Sequence, residues 1–325
     1  MKSVETLKVE DLKTYFFTKN GIAKAIDGIS FSVDQGQIMG LVGESGSGKS
    51  VTGFSLIGLV DPPGKIVGGK ISFKGENIIG ASDLYMRNLR GNRVAMIFQD
   101  PMMTLNPVLR IDTQMIETVL AHQDLNKEQA RVLARDTLGR VGISSPDERL
   151  KAYPHQFSGG MRQRVAIAIA LINKPDLIIA DEPTTALDVT IQGQILHETQ
   201  KLCRETGTAM IWITHDLAVV AGLADTISVM YAGLIVEQGP IDDVLDCPAH
   251  PYTVGLLSSI PGQNTRGKLL RQIPGMAPSL LKLPSGCSFQ DRCSEVSDKC
   301  GHVPEITRPF AGRNIRCFNP FLDSN

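Results

Sequence analysis

The chain has 325 residues, of which 42% are apolar and 21% charged, with 33 Lys and Arg against 34 Asp and Glu. A formal net charge of −1 excludes the overall basic field that drives non-specific nucleic-acid binding, and the composition excludes the disordered and fibrous classes. The length predicts about two domains.

No run of about 18 apolar residues occurs, so no membrane-spanning helix is expected. Residues 1–13 alternate charge with apolar side chains and carry no signal-like apolar segment, so export is not expected. A non-exported chain stays in a reducing compartment, which makes a metal site the first reading of the four clustered cysteines near the C-terminus and disulfides the second.

Residues 5–17 and 25–33 carry strand patterns; in the second, Ile29, Phe31 and Val33 alternate with Ser30, Ser32 and Asp34, giving one buried and one wet face. Gln35-Gly36 turns the chain into the apolar run 38–42. There follows Gly43-Glu44-Ser45-Gly46-Ser47-Gly48-Lys49-Ser50, of the form G-x-x-x-x-G-K-[ST], and a helical pattern over 50–59 that Pro62-Pro63-Gly64 should stop. A strand entering a Gly-rich loop that opens a helix gathers unpaired backbone N–H groups around a phosphate chain. Gly46 and Gly48 allow the close approach, Lys49 has the reach for β/γ-phosphates, and the Ser50 hydroxyl suits Mg²⁺.

A short strand over 70–74 ends at Gly75; with the first two strands it suggests a small antiparallel layer. The continuous apolar run 94–98 reads as a strand covered on both faces and ends at Gln99-Asp100-Pro101. Helical spacing over 111–142 indicates a helical subdomain, and 159–173 reads as one amphipathic helix with Pro175 just beyond it. Apolar runs at 177–180 and 210–213 complete a set of strands alternating with helices, which implies a parallel sheet; Trp212 is assigned to the core. Residues 227–236 read as a hairpin around Ala232-Gly233, and after Gly239-Pro240 the composition shifts toward Pro, Gly and Cys.

Asp181-Glu182 ends the strand 177–180, where Asp181 can carry a water on Mg²⁺ and Glu182 can polarise a water attacking a γ-phosphate. Gln99 and His215 stand at other strand ends. Each has a plain alternative when taken singly: Gln99 a loop polar group, His215 a core histidine, Asp188 a helix cap.

With these motifs in place, Phe157-Ser158-Gly159-Gly160-Met161-Arg162-Gln163-Arg164 resembles the signature of ABC-type ATPases, and the order of elements matches that family over residues 7–239. Phe157 and Met161 replace the generic Leu and Gln. The resemblance implies an α/β P-loop NTPase with an antiparallel β subdomain and a helical subdomain over about residues 100–175. It further implies that Gly43, Ser45, Gly46, Ser47, Gly48, Lys49, Ser50 and Val51 bind ATP, with Ser50, Gln99 and Asp181 on Mg²⁺ and Glu182, Gln99 and His215 in hydrolysis. Phe16, flanked by Tyr15 and Phe17, is the expected adenine platform. Ser158, Gly159 and Gly160 would close on the nucleotide of a partner ATPase, and Asp188 would link the two.

His250-Pro251-Tyr252-Thr253, an apolar helix and a Cys-rich end resemble the C-terminal extension of dipeptide and oligopeptide importer ATPases, dividing the chain into 1–246 and 247–325. The spacing C-x5-C-x6-C-x16-C of Cys287, Cys293, Cys300 and Cys317 leaves zinc, iron–sulfur and disulfides open; the resemblance implies a [4Fe–4S] cluster. Cys203 and Cys247 are expected to be structural. The implied partners are a second, paralogous ATPase, two permease subunits and an extracytoplasmic solute-binding protein, with the chain peripheral on the cytoplasmic face of the membrane. Nickel is the alternative cargo. A soluble ABC ATPase acting on DNA or ribosomes is disfavoured by the single phosphate loop, the lack of heptads and the balanced charge.

Overall fold

The computed structural model describes residues 4–184, 189–260 and 272–322, without the side chains of 189–191. The elements run β1 (Glu5–Thr18), β2 (Gly21–Asp34), β3 (Ile38–Val42), α1 (Lys49–Leu56), β4 (Gly64–Phe73), β5 (Glu76–Asn77), α2 (Asp83–Leu89) and β6 (Val94–Ile97). The chain continues through α3 (Ile111–Leu120), α4 (Lys127–Arg140), α5 (Pro146–Leu150), α6 (Gly159–Leu171), β7 (Leu177–Asp181), α7 (Val189–Thr206) and β8 (Ala209–Thr214). It ends with α8 (Leu217–Ala221), β9 (Thr226–Tyr231), β10 (Leu234–Pro240), α9 (Ile241–Asp246), α10 (Pro251–Ser258) and β11 (Asn314–Ile315). Two compact units interleave along the sequence: one takes in residues 1–7, 33–37 and 73–212, the other 8–32, 38–72 and 213–325.

In the first unit, strands follow the order β8-β7-β6, with β6 and β7 parallel in register from Val94 opposite Leu177 to Ile97 opposite Ala180. All five residues of β7 are buried, as expected of a strand covered on both faces. The helical subdomain is built on residues spaced one turn apart: Ile111, Met115 and Val119 on α3, and Ala130, Ala134 and Leu138 on α4, are all fully buried. Asp112, in the first turn of α3, binds Arg110 and receives a 2.9 Å ion pair from Arg131 of α4. Burial alone would raise the Asp112 carboxyl, but the two guanidinium groups outweigh it and hold it below the usual carboxylate range.

The expectation of an amphipathic helix after the signature is overturned. Val165, Ala166, Ile167 and Ala168 of α6 are consecutive and all buried, so apolar packing surrounds the helix rather than striping one face.

In the second unit, one sheet has the order β2-β1-β4 and another β11-β10-β9-β3. Ile29, Phe31 and Val33 of β2 are buried while Ser30 and Ser32 are exposed, as the alternation predicts. Strands β3 and β9 are parallel, from Met39 opposite Thr226 to Val42 opposite Val229. Strands β9 and β10 form the expected antiparallel hairpin, its turn at Ala232 and Gly233 in the left-handed region at φ 45° and 84°.

Helix α1 stops earlier than expected. Gly58, at φ 62°, donates its N–H to Ser55 while Leu59 donates to Phe54, so a left-handed glycine ends the helix before the proline pair is reached. Glu237 of β10 is fully buried and is neutralised by Arg313, while its oxygens accept the N–H groups of Ala249 and His250, each at 2.9 Å.

Asp112→Asn should lower unfolding free energy by about 1–3 kcal/mol, because it leaves the Arg110 and Arg131 grip uncompensated at a buried position. Since the folded-state value of Asp112 is depressed, its contribution is complete above the ordinary carboxylate range. It is lost as the pH falls below about 4. Urea titrations of both proteins as a function of pH measure this, with the difference between them shrinking at acid pH.

Candidate functional site

The phosphate loop follows β3, whose five residues are all buried, and it is fixed by lack of space. A Cβ on Gly43 would lie 2.1 Å from the Met230 carbonyl oxygen, and one on Gly48 would lie 2.3 Å from that of Ala25. Ser47 accepts the Gly233 N–H at 2.9 Å, so the β9–β10 turn braces the loop. Helix α1 starts at Lys49 with no side-chain cap and no acid in its first turn, which leaves its N-terminal dipole to an anion.

Lys49, 5% exposed, donates to the carbonyl oxygens of Gly43 at 2.8 Å and Glu44 at 2.9 Å. The Ser47 hydroxyl is buried without a hydrogen-bond partner, an orphan that a phosphate oxygen would satisfy. Ser45 and Gly46 are exposed, and Ser50 and Val51 half-buried. These features fit a phosphate-bearing ligand.

Of the three aromatic candidates on β1, Phe16 shares a face with Leu12 and Thr14. The Thr14 hydroxyl meets that of Ser55 on α1 at 2.9 Å, so this face looks toward the loop's helix. Tyr15, on the opposite face, donates to Asp27; burial first, then that carboxylate, push its phenol up to about 12. Phe17 is exposed. His215 follows β8 and is exposed, which rules out the core-histidine reading; Asp216 beside it caps α8 by accepting the Ala218 N–H.

In the first unit, Asp181 is 5% exposed at the end of β7. Glu182 turns into the left-handed region at φ 45°, a strained backbone for a side chain of this size. Its Oε2 accepts the Gln99 Nε2–H at 3.3 Å, so the residues at the ends of β6 and β7 come together. The loop after Gln99 exposes Met103 and Val108 at 68% and 75%.

Phe157 is buried, which explains why an aromatic serves where the family pattern has Leu. Ser158 caps α6 by accepting the Met161 N–H at 3.3 Å; Ser158 and Gly159 are exposed, Gly160 and Met161 half-buried, and a Cβ on Gly159 would meet nothing. Asp188 lies outside the described residues.

Sequence reasoning missed two partners of the phosphate loop. Tyr252 accepts the Glu44 N–H on its phenol oxygen at 2.9 Å, and Arg292 grips the Glu44 carboxylate with both terminal nitrogens. Tyr252 sits in the His-Pro-Tyr-Thr stretch, which was a signal of family but not of contact. Arg292 carried no signal beyond its position next to Cys293.

Cys287, Cys293, Cys300 and Cys317 are free thiols within electrostatic reach of one another. Burial, above all, raises the thiols of Cys287 and Cys293 and pushes that of Cys317 up to about 12. Cys317 accepts the Asn319 N–H at 3.3 Å. Among the described residues, no three Cys, His, Asp or Glu side chains close round a single metal ion, and no disulfide forms. Cys203 is buried, and burial pushes its thiol to about 12; Cys247 is exposed, and its carbonyl oxygen accepts from Arg313 at 2.8 Å.

Residues 26–185 match the family model described as ABC transporter, and residues 236–300 that of the oligopeptide/dipeptide transporter C-terminal region. The chain is 46% identical to the oligopeptide transport ATP-binding protein OppD of Escherichia coli, covering 97% of this chain and 93% of that one. It is 47% identical to AppD of Bacillus subtilis, an oligopeptide transport ATP-binding protein, over 96% of each chain. To the dipeptide transport ATP-binding protein DppD of Escherichia coli it is 44% identical over 98% of each. Among solved structures, the dimeric bacterial ABC transporter cassette MJ0796 superposes with a TM-score of 0.66 at 25% identity, over 72% of this chain and 98% of the other. The same cassette has been solved bound to ADP and phosphate after hydrolysis.

Gly48→Ala should cut MgATP affinity by a factor of roughly ten or more, since its Cβ meets a strand carbonyl that cannot rotate away. Gly46→Ala, also at positive φ but facing open space, should cost less. Equilibrium binding of the two variants, compared with the wild type, checks the order.

Proposed function

The chain belongs to the ATP-binding proteins of oligopeptide and dipeptide ABC transporters, and from this we propose that it hydrolyses MgATP to energise the import of short peptides. The observation that carries the hydrolytic role is the strand-end pair Asp181-Glu182, with Glu182 held in a left-handed turn against Gln99.

Lys49 and the N-terminal amides of α1 neutralise the β- and γ-phosphates, joined by the loop amides of Gly43, Ser45, Gly46, Ser47, Gly48, Ser50 and Val51. Phe16 stacks on adenine. Ser50, Gln99 and Asp181 are the residues that would hold Mg²⁺, which when bound draws charge off the phosphate oxygens. Glu182 orients and polarises the attacking water, and His215 donates to the γ-phosphate. Ser158, Gly159 and Gly160 present the N-terminus of α6 to the nucleotide of a second ATPase, and Asp188 steadies that pairing.

A paralogous ATPase, two permease subunits and an extracytoplasmic binding protein complete the importer, with this chain on the cytoplasmic side. Among the described residues no helix is long and apolar enough to cross a membrane. The exposed Met103 belongs to the loop over residues 100–107 that would move the permease. We further assign residues 1–246 to the nucleotide-binding part and 247–325 to an extension that bears a [4Fe–4S] cluster on Cys287, Cys293, Cys300 and Cys317. Cys300 is buried and Cys287, Cys293 and Cys317 are half-buried, and together they can supply the four thiolates that such a cluster requires. When bound, such a cluster would staple a segment poor in apolar residues.

Glu182→Gln in the assembled transporter should abolish peptide uptake and lower ATP turnover by roughly a hundred-fold or more while leaving MgATP bound. Radiolabelled dipeptide uptake and nucleotide retention measure the two effects; unimpaired turnover removes Glu182 from its role, and uptake of nickel in place of peptide overturns the cargo. Anaerobic purification should yield a brown protein with about four iron atoms per chain. A colourless, zinc-loaded product would reverse the cluster assignment.

A further inference from the structure

Glu44, the residue after the first glycine of the phosphate loop, is held on two sides by the C-terminal part of its own unit and on a third by the loop's own lysine. Its carboxylate takes a two-pronged grip from Arg292, Nη1 to Oε2 at 2.7 Å and Nη2 to Oε1 at 3.0 Å. Its N–H donates to the Tyr252 phenol oxygen at 2.9 Å, and its carbonyl oxygen accepts from Lys49 at 2.9 Å. The guanidinium is anchored in turn, since Nε donates to the Pro274 carbonyl oxygen at 2.8 Å and Nη1 also reaches the Tyr231 phenol at 3.3 Å.

The anchor stands on packed aromatics. Tyr231, Tyr252 and Phe289 meet pairwise with centroids 4.6–5.4 Å apart, and Arg292 lies over the rings of Tyr231 and Phe289. The Arg292 side chain is 6% exposed and that of Glu44 30%, so the pair sits at the edge of solvent with its cation desolvated. Planar, bidentate recognition of a carboxylate fixes direction as well as distance.

We propose that Arg292 is a positioning residue for nucleotide binding: its grip on Glu44 sets where the Gly43 and Glu44 carbonyls stand, and through them the Lys49 ammonium that meets the phosphates. This rests on the ATP-binding role of the loop. The C-terminal extension thus tunes ATP affinity from behind the loop, without touching the nucleotide. Lys in place of Arg keeps the charge but not the fork, and Gln keeps neither.

The test uses the full-length chain in its assembled transporter. Arg292→Gln should raise the KM for MgATP about ten-fold, leaving kcat at saturating ATP within about two-fold; Arg292→Lys should recover part of the loss. Glu44→Gln, which leaves the C-terminal extension intact, should raise KM similarly, and the double variant should be no worse than the poorer single one. Should Arg292→Gln fail to fold, Glu44→Gln alone decides. An unchanged KM in Glu44→Gln, or additive effects in the double variant, would overturn the proposal. A wild-type protein that bound no MgATP would instead remove the nucleotide reading on which it stands.

Discussion

The phosphate loop is a backbone wedged where no side chain fits. The Met230 carbonyl excludes a Cβ at Gly43, the Ala25 carbonyl excludes one at Gly48, and Ser47 is tied to the β9–β10 turn through Gly233. A loop fixed by main-chain neighbours does not have to be ordered by its ligand, so less conformational entropy is lost when an anion binds. The same confinement lets Lys49 stay buried, because Gly43 and Glu44 turn their carbonyls toward its ammonium.

The strand-end pair in the first unit is placed by a different device. Strands β6 and β7 run parallel and in register, so their ends deliver Gln99 and Glu182 side by side, and Glu182, in the left-handed region, accepts from the Gln99 amide. Helix α6 supplies a capped N-terminus whose serine and first glycine remain open to solvent. Its enclosure by apolar contacts makes it a stiff carrier for that end.

Much of this was legible from the residues. Period-two alternation located β2, continuous apolar runs located β6, β7 and β8, and the glycine-rich motif located the loop because its strand–loop–helix setting is local. The failures have equally local causes. The stop of α1 went to a proline pair when a left-handed glycine had already ended the helix. The signature helix was read as amphipathic because Arg162 and Arg164 mark its start, while burial on several sides comes from tertiary packing that sequence periodicity does not encode. The contacts of Arg292 and Tyr252 with Glu44 join positions some two hundred residues apart, and only folding creates them.

The buried Glu237 makes two distant stretches of the chain depend on one another. Its neutralising Arg313, and β11 that covers the outer edge of β10 from Glu237 to Gln238, come from a stretch 76 residues further along the chain. Without residues 313–315 the sheet has an unpaired edge and a buried anion that lacks its counter-charge, so β10 and this distant stretch complete one another only when folded together.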